Sequence, residues 1–110
     1  MKKKKLVILH VTKRGVERLE LALWKMIAKQ SLPIGEIEVV WYKNQNQLQG
    51  LRCDMLIIFG SQRTLKNHSC FLTKLLGTVP YFMFVEGAEE DFLQKKALED
   101  FLWSCCEEEK

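Results

Sequence analysis

The feature that most constrains the fold of this chain is a run of five apolar residues, 55–59 (Met-Leu-Ile-Ile-Phe), closed by Gly60. A continuous apolar run of this length is too short for a helix and is typical of a strand that is buried on both faces. The residues after Gly60 are polar and basic, and the pattern then takes a helical period. We therefore predict a central parallel strand over residues 54–59, whose carboxyl end opens into a loop and a helix. In open α/β sheets, ligands bind at that edge.

Three further apolar segments predict strands, over residues 5–11, 36–43 and 79–85. Segments with apolar residues at helical spacing predict helices over about residues 15–30, over residues 65–76 and from residue 88 onward. The predicted inward-facing positions of these helices are Val16, Leu19, Leu23, Met26, Ile27, Leu65, Leu72, Leu75, Leu76, Phe92, Leu93, Ala97, Leu98, Phe101, Leu102 and Cys105.

The order of these elements predicts an α/β domain built as a three-layer sandwich around a four-stranded parallel sheet. Right-handed crossovers put the first and second helices on opposite faces of the sheet, and the third helix completes the cover. The strand order 2-1-3-4 puts the two most apolar strands, the first and third, in the middle and leaves the other two at the edges. We expect the interior to hold Val7, Ile8, Leu9, Leu56, Ile57, Ile58, Phe82 and Phe84.

The length and charge of the chain limit its organisation and its partners. With 110 residues, of which 47% are hydrophobic, it predicts a single domain, 1–110, with one core. No run approaches the roughly 18 apolar residues of a membrane helix, so we expect a soluble, cytoplasmic protein without a membrane partner. Residues 1–85 carry fourteen basic against five acidic side chains, and residues 86–110 carry three against nine.

Nucleic acid is not a favoured partner, because nucleic-acid binders are more often basic throughout, with aromatic residues interleaved on the same face. The aromatic residues of this chain look like core residues. The lysines at positions 2–5 have two interpretations, a nuclear-localisation or nucleic-acid tag and a solvated start of the first strand, and we favour the second.

The cysteines and histidines indicate no catalytic or metal site. The four cysteines lack Cys-x-x-Cys spacing, and we interpret Cys53 and Cys70 as small apolar fillers. His10 lies in an apolar strand and His68 on a helix, with no nucleophile placed beside either by a motif. We therefore assign them structural or surface roles and predict no catalytic residue.

Two loops of the predicted topology meet at the carboxyl edge of the sheet, those after the first and third strands. They bring together hydroxyl-bearing, amide, glycine and cationic residues, namely Thr12, Lys13, Arg14, Gly15, Gly60, Ser61, Gln62, Arg63 and Thr64. Such groups at helix N-termini suit a phosphate, because free backbone N–H groups and the helix dipole already favour negative charge there. The alternative is that these residues form ordinary solvated turns.

Two of these segments resemble flavodoxin-like domains, which share the Rossmann-like α/β architecture. Residues 12–15 (Thr-Lys-Arg-Gly) after the first strand look like a phosphate loop, and residues 53–61 (Cys-Asp-Met-Leu-Ile-Ile-Phe-Gly-Ser) resemble the Asp-x-Ile-Ile-Ile-Gly-Ser strand of that family. The resemblance implies non-covalent binding of FMN and electron transfer to a redox partner. It assigns the phosphate to Thr12 and Gly15, and the border of the flavin ring to Ser61 and Gly87. Residues 61–66 hold no aromatic side chain to stack on that ring.

A second resemblance is to the BRCT domain, a phosphopeptide-binding module with the same strand order. It is carried by residues 63–66 (Arg-Thr-Leu-Lys) after an apolar strand, by Thr12, and by Trp103 and Cys106 in the C-terminal helix. This resemblance implies that Thr12 and Lys66 hold a phosphoserine. A phosphorylated or acidic protein partner is therefore the alternative to FMN.

Overall fold

The computed structural model describes residues 3–11, 15–42, 52–63, 65–66, 79–85 and 92–107. Along the chain these form β1 (Lys4–His10), α1 (Val16–Gln30), β2 (Ile34–Trp41), β3 (Met55–Gly60), β4 (Tyr81–Val85) and α2 (Phe92–Cys106). All three strand pairings are parallel, and the sheet order is β2-β1-β3-β4. The predicted α/β fold, with its parallel sheet in the order 2-1-3-4, is confirmed.

The two central strands are β1 and β3, which pair in register from Leu6 opposite Met55 to His10 opposite Phe59. Residues 6–9 of β1 and residues 55–59 of β3 are fully buried. This is what the uninterrupted apolar runs predict, because a strand covered on both faces cannot alternate apolar with polar residues. Among the described strands, β2 and β4 each pair on one side only, as expected for edges.

The side chains of the sheet divide between two apolar clusters, because successive residues of a strand point to opposite faces. The larger cluster joins the sheet to both helices and holds Leu6, Ile8, Val16, Leu19, Leu23, Ile27, Leu32, Ile34, Met55, Ile57, Phe59, Phe84, Leu98, Leu102 and Cys105. The smaller cluster, on the other face, holds Val7, Leu9, Leu56, Ile58 and Leu65. Helices α1 and α2 therefore share one face of the sheet.

The third layer of the predicted sandwich stays a prediction. The second predicted helix spans residues 65–76, of which Leu65 and Lys66 are described and are helical. Leu65 is buried against the face opposite α1 and α2, as right-handed crossovers require. Residues 67–78, with the predicted inward positions Leu72, Leu75 and Leu76, lie outside the described residues.

Helix α1 ends where its backbone turns left-handed at Ser31, which has φ 54° and ψ 43°. The N–H of Leu32 donates to the carbonyl of Ile27 at 3.1 Å, and both side chains enter the larger cluster. This is the hydrogen bond and apolar contact of a Schellman motif, with serine in the position that glycine usually occupies. Strand β2 begins at Ile34, two residues before the predicted start, because Lys4 N–H already bonds the Pro33 carbonyl at 2.8 Å.

Helix α2 packs through Leu98 and Leu102, which are buried as expected. Phe101 is half-buried, and its ring centroid lies 5.6 Å from that of Phe82 on β4. The indole N–H of Trp103 donates to the Oε1 of Gln30, which joins the ends of the two helices. Neither helix in the part of the chain that the structure describes is long and apolar enough to cross a membrane.

Several packing predictions are wrong for particular residues. Ala97 is exposed, since it lies off the stripe that Leu98, Leu102 and Cys105 bury. Phe82 is half-buried because β4 is an edge strand of the described sheet. The expectation that the aromatic residues belong to the core fails for Trp24, Trp41, Tyr81 and Trp103, which are each about 40% exposed. They lie on outer helix surfaces and on the edge strands.

Candidate functional site

Strands β2, β1 and β3 end at the same position along the carboxyl edge of the sheet. The N–H of Val11 donates to the Phe59 carbonyl at 2.9 Å, and the N–H of Tyr42 donates to the His10 carbonyl at the same distance. Trp41, His10 and Phe59 consequently lie side by side at the ends of β2, β1 and β3. The switch point expected from the sequence, where the chain leaves β1 and β3 in opposite directions, is formed by this edge.

Gly15 stands at this edge as the N-cap of α1, with φ 88° and ψ −12°. This left-handed conformation strains residues with a Cβ, which accounts for glycine at the position. Its carbonyl accepts the Leu19 N–H at 3.2 Å, and it has no side chain to cap the first turn. The first N–H groups of a helix lack intrahelical partners and favour an anion. Glu17, exposed in that turn, already interacts with the dipole and would repel an incoming phosphate.

The other side of the edge is formed by the residues that follow β3. Gly60 is buried and pairs with Val85 of β4. Ser61 is half-buried, and its carbonyl accepts the Leu65 N–H at 2.9 Å, which starts a helical turn. Gln62 and Arg63 in that turn are exposed, and so is Lys66. Among the described residues, the edge thus offers the Ser61 hydroxyl and two cationic side chains beside the end of β3.

Gln94 is a residue of this edge that the sequence reasoning missed. Its Oε1 accepts the backbone N–H of Val85, the last residue of β4, at 3.1 Å. The bond ties the first turn of α2 to the carboxyl end of the sheet. The available signal was a glutamine within the first two turns of the predicted third helix, but helical periodicity alone does not reveal a bond to an adjacent strand.

His10 and Trp41 form a stacked pair at the ends of β1 and β2. Their ring centroids lie 6.2 Å apart, and their planes differ by 14°. His10 is 8% exposed and is the one buried polar or charged residue within the described ranges. Trp41 is 38% exposed. The structural role predicted for His10 agrees with its burial, whereas the exposure of Trp41 at the predicted ligand edge was not foreseen.

The predicted site residues divide into two groups. The structure describes Gly15, Gly60, Ser61, Gln62 and Arg63, all at the carboxyl edge. The placement of the others stays a prediction, because they lie outside the described residues: Thr12, Lys13, Arg14, Thr64 and Gly87, and also His68 and Cys70.

Cys53 precedes β3 at the other end of the strand and packs half-buried against the smaller cluster. Burial raises the pKa of its thiol above the ordinary value of 9.0, and the nearby Asp54 carboxylate raises it further. A thiol held in its neutral form is a poor nucleophile. This agrees with the interpretation of Cys53 as an apolar filler.

Comparisons of the chain with protein-family models, with curated proteins and with solved structures found no match. The resemblances to flavodoxin-like and BRCT domains therefore rest on the sequence motifs alone. Because one fold supports many functions, function has to be argued from the residues at the carboxyl edge.

Proposed function

We propose that this domain binds FMN at the carboxyl edge of its sheet and serves as an electron-transfer protein. The observation that carries the proposal is the adjacency of the ends of β1 and β3 to the left-handed Gly15 that opens α1. This adjacency places the first backbone N–H groups of α1 at a switch point of the sheet, where α/β proteins bind phosphate-bearing ligands. Bound FMN would supply one-electron and hydride chemistry that no side chain provides.

The chemistry of the donors fits the phosphate of FMN. The first turn of α1 offers N–H groups, Ser61 offers a hydroxyl, and Arg63 offers a cation at the neighbouring strand end. Thr12, Lys13 and Arg14 come between β1 and Gly15 in the chain and would add a hydroxyl and two cations, which offset the carboxylate of Glu17.

An absorbance spectrum from the near ultraviolet to the blue, recorded with and without added FMN, tests the proposal. We expect the purified protein to carry flavin, or to shift the absorption bands and quench the emission of added FMN. Ser61→Ala should weaken binding because a hydroxyl donor is lost, whereas Ser104→Ala on the exposed side of α2 should leave it unchanged. A colourless protein that leaves the spectrum of FMN unaltered would refute the proposal.

A second function, recognition of a phosphorylated or acidic protein segment, is favoured by the exposure of Arg63 and Lys66 just after β3. Two cations on one exposed turn can pair with a phosphate or with carboxylates, and such pairing weakens as salt increases. The measurement is fluorescence anisotropy of a phosphoserine peptide and of its unphosphorylated form at two salt concentrations.

For this second function, Arg63→Glu should abolish binding of the phosphoserine peptide. Lys25→Glu provides the matched control, since Lys25 is also an exposed cation but lies on α1 away from the edge. Equal binding of both peptides, or equal loss in both variants, would exclude phosphate recognition by this turn.

A further inference from the structure

The corner of the sheet formed by the ends of β1 and β2 holds an arrangement that the proposed phosphate contacts do not use. Trp41 stacks on His10 with nearly parallel rings, and the two residues are directly opposite in the β1–β2 register. His10 is buried, whereas Trp41 is 38% exposed. An exposed indole backed by a buried ring is held in place at little further cost in side-chain entropy.

This stacked pair lies on the same face of the sheet as α1. Leu6 and Ile8 belong to the cluster beneath α1, and side chains alternate along a strand, so His10 falls on that face. Ile37 and Val39 of β2 pack against the same cluster, and Trp41 follows by the same alternation. Since α1 runs back from the carboxyl edge, its first turn, the His10 ring and the Trp41 indole share one corner of the domain.

We infer that Trp41 is the stacking platform for the planar ring of the phosphate-bearing ligand, with the phosphate at the start of α1. The inference rests on the proposed function and adds that the aromatic contact comes from the end of β2. The residues that follow β3 cannot supply it, because positions 61–66 contain no aromatic side chain. Stacking of a heterocycle on an aromatic side chain changes affinity by about fivefold to about a hundredfold.

The test uses FMN emission excited in the blue, where tryptophan does not absorb, so that quenching reports contact between the isoalloxazine and an electron-rich aromatic side chain, which the Trp41 variants identify. The wild-type protein should quench bound FMN strongly. Trp41→Leu should bind FMN at least about fivefold more weakly and leave the bound flavin emissive. Trp41→Phe, which keeps a ring, should recover part of the affinity. Inorganic phosphate should compete with FMN with the same inhibition constant in wild type and Trp41→Leu, because the phosphate contacts are unchanged.

Trp24→Leu is the matched control, because Trp24 is also 38% exposed but lies on α1. It should bind and quench FMN as the wild type does. Thermal melting of each variant establishes that it is folded. If Trp41→Leu is folded, binds FMN with wild-type affinity and quenches it fully, the inference is wrong while FMN binding stands. If the wild-type protein itself does not bind FMN, the proposed function is wrong, and the stacking role of Trp41 is refuted as well.

Discussion

The backbone of Lys5 is joined to Asp54 by two hydrogen bonds. Its N–H donates to the Asp54 carboxylate at 2.8 Å, and its carbonyl accepts the Asp54 N–H at 2.9 Å. The ammonium group of Lys5 lies 2.7 Å from the Glu38 carboxylate on β2, and the hydrogen bond to Glu38 is the main cause of the raised pKa of Lys5. Three strands are thus tied together at the amino edge, opposite the candidate site. Asp54 therefore stabilises the amino edge of the sheet and lies away from the candidate site.

Replacing Asp54 should cost stability without affecting the carboxyl edge. Asp54→Ala loses a charge-assisted hydrogen bond at an exposed position, which we expect to lower the free energy of unfolding by about 1 kcal/mol. Asp54→Asn keeps an acceptor oxygen and should lose less. Urea denaturation measures the change in the free energy of unfolding. As a control, the affinity for FMN measured by titration should be the same in all three proteins. Equal stability of all three proteins would show that the bond contributes nothing.

Ile57 tests the central placement of β3. It is fully buried in the larger cluster, so Ile57→Asp would put a carboxylate without a partner into the apolar interior. We expect no cooperative unfolding transition by circular dichroism. Leu21→Asp is the control, because Leu21 is 57% exposed on α1 and its replacement should change stability little. A soluble Ile57→Asp protein that unfolds cooperatively would contradict the central position.

The central strands could be predicted from the sequence because burial on both faces requires an apolar residue at every position from 55 to 59. The exposed position of Trp41 could not be predicted, because periodicity does not determine the environment of one residue at the end of an edge strand. Its stacking on His10 depends on the register of two strands. The bond of Gln94 to Val85 likewise depends on where α2 returns to the sheet. Composition limits which residues are buried, but long-range register decides which polar residues meet.

Ser31 offers a stabilising substitution. It adopts the left-handed conformation at the end of α1, which costs a residue with a Cβ about 1 kcal/mol relative to glycine. Ser31→Gly should raise the free energy of unfolding by about 0.5 kcal/mol, after the greater chain entropy of unfolded glycine is subtracted. Ser104→Gly, inside the exposed face of α2, should instead lower it by about 0.5 kcal/mol. If both substitutions destabilise the protein, the left-handed cap is not a source of strain.

Cys53 gives a pH dependence whose sign follows from its raised pKa. The folded state holds the proton more tightly than the unfolded state, so in alkaline solution the unfolded chain binds fewer protons and stability falls as pH rises above about 9. The raised pKa of Lys5 acts in the same direction. Cys53→Ala should flatten the alkaline part of the stability curve, as measured by urea denaturation across that range. An unchanged slope would show that the thiol titrates alike in both states.

Gly15 links the fold to the candidate site, and its replacement should affect both. Gly15→Ala places a Cβ on a backbone at φ 88°, which should lower the free energy of unfolding by about 1–2 kcal/mol. If the chain instead relaxes toward a right-handed conformation, the first turn of α1 is displaced and FMN should bind more weakly. Gly15→Asn should lower the free energy of unfolding and FMN affinity less than Gly15→Ala, because asparagine tolerates the left-handed region better than alanine.

Gly35→Ala is the matched control for this substitution. Gly35 is not in the left-handed region, and an added Cβ would lie 2.9 Å from the Cδ and 3.0 Å from the Cβ of Lys3. The Lys3 side chain and its backbone must shift slightly, so we expect a smaller loss of stability than for Gly15→Ala. FMN binding should be unchanged, because Lys3 precedes β1 at the opposite end of the sheet from the candidate site. Denaturation and flavin titration of the three variants therefore separate a requirement for glycine at the start of α1 from a general effect of adding a methyl group. Equal losses of stability and of FMN affinity in Gly15→Ala and Gly35→Ala would show that the left-handed turn at Gly15 is not required for the site.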